Sequence, residues 1–314
     1  MIRLVLWRLA ALVPILFGVA VLSFLLVYIM PGDPLNNLLG PQATQEQRDQ
    51  FATAMGLNGP ITEQFAVWFG HVVTGDLGRS ISLGQPVAQL VLDALQNTLM
   101  LALTAAVFGL VIGSLLGTAA AASRGGIVDR VVSAISLAGL SVPHYWFGMI
   151  LVAVFGVALR AFPVSGIGSG DIGSIAGHLV LPTIAVSAPV IGMVARMVRT
   201  HVAEELGGDH IGFLRSNGMS TPRLYRQVWR NTLPTVLTIF GLELGNLLGG
   251  AALVEIVFSW PGVGQLIYHA VTQKDIPVIQ ASLLLVGVMY VLINLLVDVG
   301  QALLDPRMRS KAAA

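Results

Sequence analysis

Long uncharged runs of apolar residues alternate along this chain with short polar segments. Five runs carry no charged residue, and a sixth is interrupted by one acid, Glu243. A transmembrane helix needs roughly 20 consecutive apolar residues, and every run reaches that length. The pattern therefore predicts an all-α polytopic membrane protein with six transmembrane helices, at residues 9–30, 94–123, 131–159, 172–195, 231–254 and 276–297.

Prolines and a histidine interrupt two of these runs. Pro143 removes a backbone donor and should kink the third helix. His144 follows it beside two aromatic residues, a setting more typical of an interfacial residue than of a ligand. Pro182 and Pro189 predict breaks in the fourth helix, of the kind that neighbouring groups tolerate beside a cavity.

Two runs carry three glycines each at a spacing of four residues. They are Gly109, Gly113 and Gly117 in the second run and Gly241, Gly245 and Gly249 in the fifth. Such ladders let helix backbones approach closely, which is the main way helices associate in lipid. They predict tight packing within one subunit or, alternatively, a subunit interface or a pore lining. Glu243 lies mid-run beside the second ladder, where a carboxylate predicts a transport-path or structural hydrogen-bonding role.

Composition supports a membrane protein and excludes several kinds of chemistry. The chain is 55% hydrophobic and 11% charged, with a mean hydropathy of +0.81, whereas soluble domains are about 25% charged. The net charge of +1 gives no field that would attract nucleic acid. The absence of cysteine excludes disulfides and thiolate ligands. The sequence also lacks a cluster of histidines that would suggest a metal site. The first run is too long for a signal peptide, so we expect it to be retained.

Basic residues are distributed unevenly between the two sides. Thirteen of the 17 lie in the termini and in the second–third and fourth–fifth connections. By the positive-inside rule, both termini and residues 200–234 are cytoplasmic. The chain then divides into a first transmembrane helix (1–30), an external segment (31–93) and a core transmembrane domain (94–310). The external segment contains two predicted short helices, 44–57 and 61–73, and a turn at 75–80, and a glycine-rich external loop spans 162–171.

Residues 203–234 are polar despite their apolar flanks. The first half is compatible with a helix, except at Gly207-Gly208, and Gly218 suits a left-handed C-terminal cap. Thr221 is a predicted N-cap with Pro222 at the first helical position. The segment thus predicts a helix–turn–helix on the cytoplasmic surface. Taken alone, this pattern also fits an amphipathic connector held on anionic head groups.

A family resemblance favours a more specific hypothesis for this segment. The order of six residues along the segment resembles the EAA loop of ABC transporter permease subunits. These residues are Glu204, Asp209, Arg215, Gly218, Leu233 and Pro234. "PGDP", "GDLG.S", "PVSG", "FSWPG" and "NLLVD" resemble the dipeptide/oligopeptide branch, over nearly the whole chain. In that family the loop forms a coupling helix that inserts into a groove of the ATPase subunit. Gly208, His210, Gly212 and Asn217 depart from the usual pattern.

The resemblance implies a permease subunit of the bacterial inner membrane that forms half of a translocation path for di- or oligopeptides. It implies a second homologous permease subunit, two cytoplasmic ABC ATPases, an external solute-binding protein and surrounding lipid. No catalytic residue or cofactor is expected on this chain, with ATP and Mg²⁺ on the ATPases. The same machinery could instead import a nickel chelate, glutathione or another small solute.

The lysines are consistent with ATP chemistry on another polypeptide. A phosphate-binding Walker A loop ends in G-K-[ST], but Lys274 precedes an aspartate and Lys311 an alanine. Two rival hypotheses are an ATP-independent secondary carrier and a membrane scaffold that transports nothing. A carrier should show carboxylates near the membrane midplane and paired broken helices. Glu243 is the one candidate for such a carboxylate.

Overall fold

The computed structural model describes residues 2–29, 39, 42–54 and 59–304. These residues are mainly helical, and within them the one β-type pairing is an isolated bridge between Arg79 and Pro86. The helices are α1 (Ile2–Ile29), α2 (Gln45–Ala54), α3 (Ile61–Val73), α4 (Val87–Ala122), α5 (Ile127–Ser141), α6 (His144–Leu151, continued by π-helical Val152–Ala158), α7 (Ile172–Leu206), α8 (Asp209–Ser216), α9 (Thr221–Val257), α10 (Val263–Gln273) and α11 (Ile276–Leu304).

Several of these helices are long and apolar enough to cross a membrane. Helices α4 and α7 and residues 276–297 of α11 qualify singly, and two bent pairs, α5–α6 and the two parts of α9, raise the total to five. Among the described side chains, α1 contributes a shorter apolar stretch, Val13–Leu26. The all-α polytopic class is confirmed, while the number of six spans and the orientation of the termini stay predictions.

The chain forms two compact units, with boundaries inside helices α4 and α11 and in the connection between α9 and α10. The core unit comprises residues 99–260 and 293–304, and the second unit comprises residues 2–98 and 261–292. Each has its own buried apolar cluster. That of the core unit includes Val190 and Val194 of α7 and Val254 of α9, whereas that of the second unit includes Val87 of α4 and Ile279 of α11.

Within the core unit, the first glycine ladder packs tightly against α7. A Cβ atom added to Gly109 would lie 2.7 Å from Val190 Cγ1, and one added to Gly113 would lie 2.8 Å from Val194 Cβ. A Cβ on Gly117 would lie 2.5 Å from the Ala195 carbonyl oxygen. Real Cβ contacts are not this short, so the close approach of α4 and α7 requires glycine. The predicted packing within one subunit is confirmed for this ladder.

Prolines act differently in the third and fourth predicted helices. At Pro143 the helix stops and restarts, and α5 and α6 meet at an angle of 106°. The predicted kink is therefore a complete break. Pro182 and Pro189, by contrast, lie inside an uninterrupted α7, and the predicted breaks there are wrong. Many side chains of α7 are buried against neighbouring helices, and this packing keeps the helix continuous despite the lost backbone donors.

The second unit contains an aromatic cluster and a carboxylate anchored by hydroxyls. Phe24 of α1 packs on Phe65 and Trp68 of α3, with ring centroids 5.4 and 5.6 Å apart. The two predicted short helices are confirmed as α2 and α3. Buried Asp275 accepts hydrogen bonds from the Ser80 and Ser82 hydroxyls, at 2.5 and 2.7 Å. Burial opposes ionisation of Asp275, but these hydrogen bonds outweigh it and lower its pKa.

Candidate functional site

The polar segment 203–234 lies in the core unit and contains a short helix between two long ones. Helix α7 ends at Leu206, Gly207 and Gly208 connect it to α8, and α8 ends at Ser216. The glycine pair thus interrupts the helix where low helix propensity predicts a weak point. Gly208, one of the departures from the family pattern, takes an extended conformation as the N-terminal cap of α8.

Gly218 produces the turn that follows α8. Its φ of +77° is in the left-handed region, as predicted. The Gly218 amide donates to the Arg215 carbonyl at 3.0 Å, and the Met219 amide donates to the Leu214 carbonyl at 3.1 Å. These bonds use carbonyls that the end of α8 would otherwise leave unpaired. Glycine is favoured here because other residues adopt a positive φ only with strain.

The second helix of the segment differs from the prediction in two respects. Its N-cap is Ser220 rather than Thr221, so Pro222 takes the second helical position. It also does not end as a separate surface helix, because α9 continues through Pro234 to Val257. Leu233 and Pro234 therefore lie within a helix, and Leu233 is 46% exposed.

Apolar side chains anchor the segment to the core. Ile211 of α8 and Val228 of α9 are fully buried, and Leu224 is 3% exposed. Tyr225 and Trp229 are partly buried against the same cluster. These side chains form an apolar stripe along the start of α9, and Ile211 adds an anchor from α8.

Part of the segment's exposed surface carries three of the six residues identified by the resemblance, Glu204, Asp209 and Arg215. We call it the polar face; it comprises Glu204, Asp209, Phe213, Arg215 and Arg223, all exposed. Phe213 is 69% exposed although it is a large apolar residue among charges. Exposed aromatic side chains next to charged ones are typical of protein interfaces. The sequence pattern did not single out Phe213, and the signal for it is its position two residues after the buried Ile211 on a short helix.

Glu205 connects the three helices of the segment, and the sequence pattern did not identify it either. Its Oε2 accepts a hydrogen bond from the Asn231 Nδ2 of α9 at 2.9 Å. The same oxygen lies 3.3 Å from Nε2 of His210 in α8. Neighbouring Glu204 instead points outward, 3.7 Å from His201 of its own helix. Of the two adjacent acids, Glu205 thus orients the segment and Glu204 is available to a partner.

An ion pair between Asp129 and Arg199 holds the N-terminal end of α5 against α7 in the core unit. Both Asp129 carboxylate oxygens accept from the Arg199 guanidinium, Oδ2 at 2.8 Å from Nη2. The Gly125 amide donates to the same Oδ2 at 2.9 Å. The Asp129 side chain is 6% exposed and that of Arg199 37%. A fork-shaped pair of this kind has a defined geometry, so it holds the two helices in one relative orientation.

The second group of predicted residues, in α9, is not brought together as one site. Gly241 faces Val297 closely, and Gly245 is buried. Gly249 is exposed, and a Cβ added to it would have nothing within 4 Å. Glu243 is half-buried and interacts with the Asn246 side chain of its own helix.

His144 makes an interhelical contact that its sequence context did not suggest. Its Nε2 lies 2.6 Å from the carbonyl oxygen of Gly250 in α9. The ring is half-buried at the start of α6, directly after the 106° bend. His144 thus joins α6 to α9, and its placement at the membrane interface stays a prediction.

Comparisons with known proteins give consistent matches over the chain. Residues 109–310 match the family described as "Binding-protein-dependent transport system inner membrane component", and residues 1–102 match the N-terminal family of the same membrane components. The chain is 36% identical to the di/tripeptide transport system permease protein DppB of Pseudomonas aeruginosa, over 96% of this chain and 97% of that protein.

Two further relatives and a solved structure are also similar. The oligopeptide transport system permease protein AppB of Bacillus subtilis is 36% identical over 94% of this chain and 95% of its own length. The glutathione transport system permease protein GsiC of Escherichia coli is 37% identical over 99% of this chain and 100% of its own length. An inward-facing structure of the MetNI methionine ABC transporter shares the fold, with a TM-score of 0.59 at 21% identity over 71% of this chain and 100% of that one.

Proposed function

Because the chain belongs to the family of binding-protein-dependent transport system inner membrane components, we propose that it is the permease subunit of an ATP-driven importer of di- and oligopeptides. The family and the several apolar helices of this chain indicate a multi-pass protein of the bacterial inner membrane. As a permease, the chain contributes half of the translocation path, and a second homologous permease contributes the other half.

Our proposal for how energy reaches the membrane helices rests on the polar face. Glu204, Asp209, Phe213 and Arg215 are exposed on a segment that buried Ile211 anchors to the core. We propose that two cytoplasmic ABC ATPases supply the motion, one of them seated on this face. A displacement of α8 would pass to α7 and α9, because Glu205 contacts side chains on α8 and α9 from the end of α7. ATP and Mg²⁺ would be bound by the ATPases, as no lysine here fits a Walker A loop.

The substrate class follows from the relatives. Those reported above are named for transport of di/tripeptides, oligopeptides and glutathione, and glutathione is itself a tripeptide. Short peptides are therefore the substrates we propose, delivered by an external solute-binding protein. Uptake of labelled di-, tri- and pentapeptides by the reconstituted transporter would test the class. Transport of none of them would contradict it.

Gly218→Val tests the coupling role of the segment. A β-branched residue in this left-handed conformation costs about 1–3 kcal/mol, which alters the turn that presents the polar face. We expect co-purification of the ATPases and peptide uptake to fall about tenfold, with a normal amount of the chain in the membrane. Glu204→Lys should act in the same direction by reversing a charge on the face itself.

Gly75→Val is the matched control. Gly75 also has a positive φ, +84°, with nothing within 4 Å of an added Cβ, but it belongs to the second unit, whereas the polar face belongs to the core unit. It should therefore strain the backbone equally while leaving ATPase co-purification intact. Normal uptake by Gly218→Val, or an equal loss of co-purification in Gly75→Val, would contradict the proposed coupling.

A further inference from the structure

A cavity of about 270 Å³ lies between α5 and α7 in the core unit. Pockets that enclose a drug-sized ligand typically measure roughly 300–1,000 Å³. This cavity is somewhat smaller, and so suits a compact group more than a whole amphiphile. It is lined by Val132, Ser133, Ser136, Leu137, Leu140, Arg196 and Arg199.

Helix α7 contributes two arginines to the lining, and α5 contributes two serines and three apolar residues. Arg196 and Arg199 are three residues apart on α7 and so project from neighbouring positions of one helix face. Ser133 and Ser136 line the cavity from α5, and the Ser133 hydroxyl is already hydrogen-bonded to Asp129. Leu137 and Leu140, also on α5, are 62% and 39% exposed. Such a cavity offers donors to an anionic group and an exposed apolar surface to an attached chain.

The two arginines differ in how far their charge is already satisfied. Arg199 donates to both oxygens of Asp129, which fixes the guanidinium and neutralises it. For the side chain of Arg196, no ion pair or hydrogen bond is found within the residues that the structure describes. Arg196 therefore brings an uncompensated positive charge to the rim of the cavity, while Arg199 keeps its wall in place.

The position of the cavity along α7 identifies the source of the anion. The apolar run of the fourth predicted helix ends at Ala195, directly before Arg196. The cavity thus lies where the hydrocarbon region gives way to the head groups, and the phosphate of a bilayer lipid is at that depth. Basic pockets between transmembrane helices on the cytoplasmic side are known to hold anionic head groups.

We propose that this cavity binds the phosphate of an anionic phospholipid, with Arg196 as the main electrostatic contact and Leu137 and Leu140 against its acyl chain. The site does not depend on the proposed transport function, since it rests on charge, apolar exposure and depth in the membrane. An additional role follows for α5 and α7, because a lipid bound between them would stabilise the spacing that the Asp129–Arg199 pair also holds.

Absence of cysteine makes a direct test possible. The full chain with Leu140→Cys carries one thiol, which is labelled with a small fluorophore and reconstituted into phosphatidylcholine bilayers. Brominated phosphatidylglycerol and brominated phosphatidylcholine are then compared as quenchers. We expect phosphatidylglycerol to be preferred about fivefold, the effect of one uncompensated arginine near an anionic lipid.

Three matched variants complete the experiment. Arg196→Gln should abolish the preference, Arg196→Lys should retain it, and Arg124→Gln, an exposed arginine outside the cavity, should leave it unchanged. A label at Leu115→Cys, on the exposed side of α4, should be quenched equally by both lipids. Equal quenching at Leu140→Cys, or a preference that survives Arg196→Gln, would overturn the proposal. Loss of the preference on adding inorganic phosphate at constant ionic strength would assign the cavity to a free anion instead.

Discussion

The glycine ladders of α4 and α9 have the same spacing but different surroundings. Each glycine of the α4 ladder lies so close to α7 that an added Cβ would come within 2.5–2.8 Å of an atom of that helix. In α9, Gly241 is similarly close to Val297, at 2.7 Å, but Gly249 faces open space. The spacing shows that close approach is possible along a face. Whether a neighbour occupies that face depends on the rest of the fold.

The largest effect is expected for Gly117→Val. The atoms nearest to an added Cβ are the Ala195 carbonyl oxygen at 2.5 Å, Val198 Cβ at 2.8 Å and the Arg199 amide nitrogen at 3.0 Å. Two of these belong to the backbone, so α4 and α7 would have to separate. Overpacking of this kind costs typically about 1–3 kcal/mol, and we expect the upper end here. Thermal unfolding of the purified chain in detergent would measure the loss, and an unchanged midpoint would contradict the close packing of the two helices.

A smaller effect is expected for Gly109→Ala, at the other end of the same ladder. The nearest atoms to an added Cβ are Val190 Cγ1 at 2.7 Å, Val190 Cβ at 2.8 Å and Ser187 Cβ at 3.6 Å, with no backbone atom among them. Rotation of the valine could move Cγ1, whereas Cβ is fixed to the backbone, and the fully buried side chain has little room. We expect a destabilisation of about 1 kcal/mol, the lower end of the overpacking range. The same thermal assay applies, and a loss as large as that of Gly117→Val would show that side chain and backbone yield equally little.

The ladders also show how far the sequence could predict this molecule. Apolar runs predicted the long helices, and Pro143 and Gly218 predicted a kink and a left-handed turn, because these features depend on local backbone chemistry. The kink at Pro143 is a complete break in the structure. Partners across space could not be predicted in the same way. Nothing in the pattern distinguishes Gly113, packed on Val194, from Gly249, which is open.

The candidate coupling segment shows the same division. The family resemblance identified Glu204, whereas the contact between helices is made by Glu205, one residue further along. One residue corresponds to about 100° around a helix, so the choice between adjacent acids depends on how α7 is rotated. That rotation is set by packing of Val198 and Val202 in the core, both fully buried. The sequence also predicted a separate surface helix after Thr221, because the residues there are polar. In the structure this stretch is the start of α9, since helical hydrogen bonding continues through polar residues as well as apolar ones.

The smallest effect is expected for Gly249→Ala. With nothing within 4 Å of an added Cβ, no contact is lost, and alanine stabilises a helix by up to about 1 kcal/mol relative to glycine. The unfolding midpoint of the isolated chain should therefore stay the same or rise slightly. A decrease would mean that the open face is already occupied within this chain. The bulkier Gly249→Leu separates the two remaining alternatives for the face. A lower yield of the assembled transporter with a stable isolated chain would indicate contact with another subunit, whereas a normal yield with altered peptide uptake would indicate that the face lines the translocation path.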